Sequence, residues 1–192
     1  MTISILLLCI LWACYVSCCH GSNDKWSADE LFFAVRQDNE ALILKQLRHP
    51  ASDINVIGVG GQTPLMHAVL QGRETAVQVL LDRGADTTIA EKDGYTPLHG
   101  AGFQGRANIA KLLLHHGLDP FDMHNDGYLP LHRACWGRED RHTETVKVFL
   151  QSGVPPNAPS KSGKTCMEMT NNEATKALLQ QYTKHSKVFD EL

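Results

Sequence analysis

Histidine and cysteine are the side chains of this 192-residue chain with the clearest potential for metal chemistry, since the sequence contains ten and six of them. A zinc site needs several ligand atoms at about 2 Å from one ion. His99 and His132 stand 33 residues apart, whereas His115 and His116 are adjacent near a predicted helix end. The adjacent pair could contribute to a lone site, but no cluster with zinc-ligand spacing surrounds it. We therefore expect no metal.

Catalytic chemistry would need a nucleophile beside a base, a pair of carboxylates, or a glycine loop that holds phosphate. The residues around Gly58 and Gly61 are rich in glycine, but no lysine follows them and no strand precedes them. They are typical of a turn. We predict that the protein is not an enzyme, has no catalytic residue and needs no cofactor.

The overall charge argues against broad binding to polyanions. The chain has 18 Lys and Arg against 21 Asp and Glu, a formal net charge of -3, and 43% of its residues are hydrophobic. This composition is typical of a globular domain with a buried core. A negative protein has no general attraction to nucleic acid or to anionic membrane, so we expect neither as a partner.

Only two cysteines lie in the body of the chain, namely Cys135 and Cys166, because the other four lie within residues 9–19. This distribution is not that of a disulfide-stapled scaffold. Cys135 follows Ala134 in a predicted helix, where a small buried residue is usual. We expect a buried thiol there rather than a disulfide to Cys166, because Cys166 begins a later structural unit.

The elements that must position these side chains form an internal repeat. Prolines recur every 33 residues in three short segments: Thr63-Pro64-Leu65, Thr96-Pro97-Leu98 and Leu129-Pro130-Leu131. An alanine follows each at the same offset, then an apolar stretch that stops at a glycine: Gly84, Gly117 and Gly153. Proline suits the first turn of a helix and glycine suits the left-handed residue after its end. The pattern predicts pairs of helices.

This pattern resembles the ankyrin repeat, whose Thr-Pro-Leu-His helix start is present as Thr96 to His99 and, with one change, as Leu129 to His132. The resemblance implies an all-α ankyrin-repeat solenoid of about five helix-turn-helix units with hairpin-like finger loops. We place the domain at residues 27–182 and a tail at 183–192. The predicted units are a cap at 27–60, repeats at 61–93, 94–126 and 127–162, and a cap at 163–182.

In the ankyrin family this histidine hydrogen-bonds to the loop and helix start, which implies a structural role for His99 and His132. Equivalent positions on neighbouring helices are about 8–10 Å apart, too far to share one zinc ion. The last unit has Cys166 and Glu168 where the proline and histidine are expected. The fourth unit is three residues longer than the third, and we place the extra residues in a solvated loop between Arg138 and Thr143.

Residues 3–16 form an almost unbroken apolar run without a charge. At helical rise they would cover about 21 Å, less than the roughly 30 Å of a bilayer core. We predict a signal peptide at residues 1–21, cleaved before Cys19 or before Ser22, with an uncleaved anchor or a buried core helix as alternatives. No membrane contact is expected after cleavage.

The sequence ends Phe189-Asp190-Glu191-Leu192, and its last three residues match the Lys-Asp-Glu-Leu retention address. Together with the leader this tail favours the endoplasmic reticulum lumen over secretion. A chance acidic tail is the alternative explanation.

The repeat architecture predicts that another protein binds the concave face lined by finger tips and first helices. Tyr95 and Tyr128 occupy matching finger positions, and we expect them to be exposed anchors. Phe103 and Trp136 either extend this stripe or pack between helices. The full set of predicted contact residues is Gln62, Lys92, Tyr95, Phe103, His124, Asn125, Tyr128, Arg133, Trp136 and Arg138.

Overall fold

The computed structural model describes residues 26–190, with side chains to residue 184. Its helices are α1 (Ala28–Arg36), α2 (Glu40–Leu47), α3 (Pro64–Gln71), α4 (Glu74–Asp82), α5 (Pro97–Gln104), α6 (Ala107–His115), α7 (Pro130–Cys135), α8 (Asp140–Gln151), α9 (Cys166–Met169) and α10 (Glu173–Asp190). A short 3-10 turn spans Val59–Gly61. Within that range the only β-structure is an isolated bridge between Pro159 and Thr165. The predicted all-α class is confirmed.

The helices form five pairs that stack in chain order. The first helices α1, α3, α5, α7 and α9 pack in one row, and the second helices α2, α4, α6, α8 and α10 pack in another. Each row contacts its neighbours along the stack, so each unit buries its apolar face against the next unit. The predicted solenoid of about five helix-turn-helix units is therefore confirmed.

Helix starts and stops follow the residues that the repeat places there. The Thr63 hydroxyl accepts a hydrogen bond of 3.1 Å from the backbone N–H of Met66, which caps α3. Gly84, Gly117 and Gly153 have φ angles of +78°, +87° and +96°. These values lie in the left-handed region that favours glycine, as the repeat predicts.

The core runs through the whole stack and consists mainly of aliphatic side chains. Each of the five units buries at least one leucine side chain almost completely: Leu31, Leu65, Leu98, Leu131 and Leu179. Leu113 of α6 and Phe149 of α8 are likewise 0% exposed. Burial of side chains this large stabilises the stack by about 1.5–3 kcal/mol each.

The loops between units are hairpin-like fingers, as predicted. In one finger the backbone N–H of Glu91 donates to the carbonyl oxygen of Tyr95 at 3.1 Å, and Gly94 donates to Glu91 at 2.8 Å. The same two bonds recur at residues 124–128 and 160–164. The fingers therefore present matching residues at a regular spacing along one edge of the stack.

The additional residues of the fourth unit lengthen a helix, which corrects the predicted loop between Arg138 and Thr143. Helix α8 has 12 residues against nine in α6, and it begins at Asp140. The first turn of α8 is held against α5 by His142, which is 6% exposed and donates from Nε2 to the carbonyl oxygen of Phe103 at 3.2 Å. This bond satisfies a carbonyl near the end of α5, so the extended helix is stabilised.

Cys135 and Cys166 form a disulfide, which corrects the expected free thiol. Both residues are 0% exposed, and their Cα atoms are 5.7 Å apart. The first helices are staggered, so the sixth residue of one contacts the first residue of the next. The same stagger brings Gly102 of α5 against Pro130 of α7. The stagger therefore offsets the displacement that the positions of Cys135 and Cys166 in their two units would otherwise produce.

Two predicted segments lie partly or wholly beyond the described residues. The proposed leader at residues 1–21 is outside them, as are Glu191 and Leu192 of the retention-like tail. The backbone of Phe189 and Asp190 belongs to the end of α10. Among the described helices, none is both long and apolar enough to cross a bilayer.

Candidate functional site

Phe103 and Trp136 occupy the same position in consecutive units, six residues after the proline that begins the first helix of each unit. Their side chains are 55% and 39% exposed, respectively. Of the two alternatives left open by the sequence, inter-helix packing and surface contact, the structure places both rings on the surface. Leu70 holds the equivalent position in the preceding unit and is half-buried.

Beside these rings, Arg133 lies at the centre of a polar network built from three elements. Its Nη2 donates to the hydroxyl oxygen of Tyr95 at 2.9 Å and forms an ion pair with Asp126. The Tyr95 hydroxyl in turn donates to Asp126 Oδ2 at 3.0 Å. The network ties α7 to the fingers of two units.

Three aromatic rings surround the same guanidinium. The Cζ atom of Arg133 is 4.6, 5.2 and 4.4 Å from the ring centroids of Tyr95, Tyr128 and Trp136. Cation–π attraction at these distances adds to the ion pair. Arg133 is only 6% exposed and both tyrosines are half-buried. This arrangement corrects the expectation of exposed tyrosine anchors, because both tyrosines are half-buried, whereas Trp136 stays 39% exposed beside the same guanidinium.

His124 completes the network from the finger side. Its ring stacks on Tyr95 with centroids 4.0 Å apart, and its Nε2 donates to the carbonyl oxygen of Asp93 at 2.9 Å. Burial would raise the pKa of Asp126, but hydrogen bonds from His124, Arg133 and Tyr95 outweigh it and lower that pKa to about 2. The Asp126 carboxylate therefore stays ionised and holds Arg133 in place at neutral pH.

His99 and His132 join neighbouring units. His99 Nε2 donates to the carbonyl oxygen of Tyr128 at 3.3 Å, and His132 Nε2 donates to that of Ala158 at 3.0 Å. The other ring nitrogen of His132 accepts from the backbone N–H of Leu129 at 3.0 Å. Burial lowers the pKa of both histidines, so both are neutral at physiological pH. The structural role implied by the resemblance matches these contacts.

The described side chains contain no group of three or more His, Cys, Asp or Glu residues placed to hold a metal ion.

In the last unit Glu168 accepts the hydrogen bond from the helix start that His132 accepts in the fourth unit. Its carboxylate accepts a 2.7 Å hydrogen bond from the backbone N–H of Thr165. This bond lowers the pKa of Glu168.

The remaining predicted contact residues are spread over two ends of the first helices. Gln62 lies on a finger, where its amide donates to Glu91 Oε2 at 3.5 Å. Lys92 and Asn125 are exposed on the next two fingers. Arg138 is exposed at the turn between α7 and α8, at the opposite end of α7 from the fingers. The structure thus does not bring Arg138 together with the finger residues.

A pocket of about 320 Å³, which the sequence pattern does not predict, lies between the second and third units. Its lining includes Leu70, Glu91, Gly100, Phe103 and Arg133. Burial raises the pKa of the Glu91 carboxyl. The signal that could have revealed the pocket is Gly100, a glycine in the interior of a helix, where it is unfavourable.

Comparison with known protein families agrees with this architecture. A family model described as ankyrin repeats in three copies matches residues 31–124, and a single ankyrin-repeat model matches residues 126–161. Together they cover more than half of the chain, which therefore belongs to the ankyrin-repeat family. No curated protein sequence matches it. Ankyrin repeats generally bind other proteins, so the chain is a protein–protein interaction module.

Proposed function

We propose that this protein is a non-enzymatic adaptor, inhibitor or assembly factor that binds a partner protein on its concave face at the third and fourth units. The observation that carries the proposal is the exposure of Phe103 and Trp136 at matching positions. Large aromatic side chains dominate many binding interfaces. An exposed pair of them, one repeat apart, is a suitable anchor for a partner.

The network around Arg133 supports the same surface. Tyr95 and Tyr128 pack on the guanidinium from two fingers, and Trp136 packs on it from the end of α7. A ring that is already held in position loses little conformational entropy when a partner binds. The network thereby prepares the anchor surface before contact.

We further propose that the protein works in the lumen of the secretory pathway, with the endoplasmic reticulum favoured over secretion. The buried Cys135–Cys166 disulfide supports an oxidising compartment, since such bonds are rare in the cytosol. The apolar run at residues 3–16 and the tail from Phe189 to Leu192 support it too. A membrane-anchored cytosolic scaffold is the competing location.

The location is tested by protease protection on intact microsomes together with N-terminal sequencing of the purified protein. A lumenal protein resists the protease and begins near residue 19 or 22. Digestion without detergent, with Met1 or Thr2 retained, would support the cytosolic scaffold instead. Masking Leu192 with a C-terminal tag should increase secretion if the tail acts as a retention signal, and unchanged secretion would refute that role.

The binding surface is tested by hydrogen exchange. Proximity labelling in cells first identifies a partner, which is then purified and mixed with this protein. We expect slower amide exchange in α5, α7 and the fingers that precede them. Slower exchange confined to α4, α6 and α8 would place the partner on the second helices and refute the concave-face assignment.

A further inference from the structure

Helix α5 contains two glycines, and only one of them is required by backbone packing. A Cβ atom on Gly102 would stand 2.5 Å from the carbonyl oxygen of Pro130, a backbone atom that cannot move aside. A Cβ atom on Gly100 would meet Met66 Cε at 3.2 Å and Leu70 Cδ2 at 3.3 Å. Both atoms are the ends of flexible side chains, so alanine at residue 100 requires a shift of these side-chain ends and no movement of the backbone.

Glycine is nevertheless unfavourable at residue 100, by about 1 kcal/mol relative to alanine in a helix interior. The equivalent residues in the neighbouring units, His67 and Arg133, carry large side chains. Gly100 therefore leaves a gap in a continuous row of side chains on the first helices. The 320 Å³ pocket lies at this gap, with Leu70 and Phe103 among its walls. The volume falls within the range of about 300–1,000 Å³ seen for ligand pockets.

The charges around the pocket indicate what its occupant carries. Arg133 is already neutralised by its ion pair with Asp126. Glu91 is half-buried at the pocket and forms no ion pair with any described residue. Its only side-chain hydrogen bond in the described part of the chain is the long contact from Gln62. The uncompensated charge at the pocket is therefore negative, and it favours a positively charged group.

We propose that the pocket over Gly100 binds one large apolar side chain, aromatic or leucine, of a partner polypeptide whose neighbouring residue is Lys or Arg and pairs with Glu91. The apolar side chain contacts Leu70 and Phe103, and the basic side chain reaches the carboxylate at the mouth. This inference rests on the proposed function, since it identifies the chemistry of the partner at the concave face.

The test uses a phage-displayed random dodecapeptide library selected on the purified protein. We expect enrichment of peptides with an aromatic residue or leucine beside Lys or Arg. A fluorescein-labelled enriched peptide is then titrated against the variants by fluorescence polarisation. Gly100→Leu fills the pocket and should weaken binding by at least about tenfold, as expected when an apolar contact is lost. Lys111→Leu places the same leucine at an exposed position of α6 outside the pocket lining and should leave binding unchanged.

Two further variants keep the test decisive if Gly100→Leu folds poorly. Gly100→Ala adds a single methyl group, should fold with equal or higher stability, and should weaken binding by a smaller factor. Glu91→Gln keeps the size of the side chain and should weaken binding by about threefold to tenfold while reducing its dependence on salt.

Several outcomes overturn the proposal and are distinguishable from failure of the proposed function. Enriched peptides without the apolar and basic pair, or peptides that bind Gly100→Ala and Glu91→Gln as tightly as the wild type, refute the pocket alone. Failure to enrich any peptide, while a labelled partner still protects α5 and α7, refutes the pocket alone too. Failure of both experiments refutes the concave-face function itself.

Discussion

The substitutions Gly102→Ala and Gly100→Ala form a matched pair that should change stability in opposite directions. Both residues are buried, both lie in α5, and the two substitutions are chemically identical. They differ in what the new methyl group meets. At residue 102 it overlaps the carbonyl oxygen of Pro130 at 2.5 Å, whereas at residue 100 it touches the movable ends of Met66 and Leu70.

The magnitudes follow from two opposing contributions. Replacing glycine by alanine inside a helix gains about 0.8–1.0 kcal/mol. Overpacking against a fixed neighbour costs about 1–3 kcal/mol, so Gly102→Ala should lower the free energy of unfolding by about 0–2 kcal/mol. At residue 100 the tight contact with Met66 removes only part of the gain, leaving a stabilisation of about 0.5 kcal/mol. The two variants should therefore differ by about 0.5–2.5 kcal/mol, with Gly100→Ala the more stable.

The assay is urea denaturation of the two variants and the wild type, followed by far-ultraviolet circular dichroism. Thermal denaturation gives a second reading, in which 1 kcal/mol corresponds to about 2–4 °C for a chain of this size. Equal midpoints for the two variants, or a more stable Gly102→Ala, would refute the close approach of α5 to α7. That result would also remove the distinction between Gly102, which backbone packing requires, and Gly100, which it does not.

Three further predictions concern a helix end, acid stability and the disulfide. Gly117→Val should lower the free energy of unfolding by about 1–3 kcal/mol, because the φ of +87° at Gly117 strains a β-branched residue. No atom lies within 4 Å of a Cβ placed there, so backbone strain and not a steric clash sets the cost. A urea midpoint equal to that of the wild type would contradict this prediction. Burial lowers the folded-state pKa of His99 and His132 below 6.5, the value in the unfolded chain. The stability that the two neutral histidines contribute should therefore be complete above pH 6.5 and decline as the pH falls below it. A urea midpoint that stays constant over this pH range would argue against neutral buried histidines. Substituting Cys135 and Cys166 with serine should cost about 2–4 kcal/mol. Alkylation of both cysteines in the denatured, unreduced wild type would contradict the disulfide.

Most of the fold could be predicted from the sequence because the same helix-start and helix-end residues recur in successive units. Pro64, Pro97 and Pro130 mark three helix starts in one register, and the glycines that follow mark the helix ends. Stacking of identical units then leaves little freedom in the overall architecture. A feature that occurs in one unit only lacks this support.

The polar surface could not be predicted because its contacts join different units. Arg133 was expected on the surface, but its partners Tyr95 and Asp126 come from two fingers and bury it. Three-dimensional stagger likewise decides the pairing of Cys135 with Cys166. The sequence of one unit shows which residue types are present. The contacts between units depend in addition on how neighbouring helices are offset along the stack.

The additional residues of the fourth unit illustrate a different limit. The segment from Arg138 to Thr143 is polar, and polarity alone does not separate a surface loop from the first turn of a helix. In the structure the helical turn is accompanied by a part-buried hydrogen bond from His142 to the carbonyl oxygen of Phe103. That carbonyl belongs to another unit, so its availability cannot be inferred from the segment itself.

The most direct test of the concave-face account is the dissociation constant of the purified protein for its labelled partner, measured by calorimetry for three forms. The wild type is compared with the double variant Phe103→Ser, Trp136→Ser and with Leu42→Ser, which removes a similarly exposed apolar side chain from the second helix of the first unit. Loss of interface aromatic residues typically costs about 2 kcal/mol or more each, so the double variant should bind at least about 100-fold more weakly while Leu42→Ser binds as the wild type does. Unchanged affinity in a folded double variant, or equal weakening by Leu42→Ser, would contradict the account.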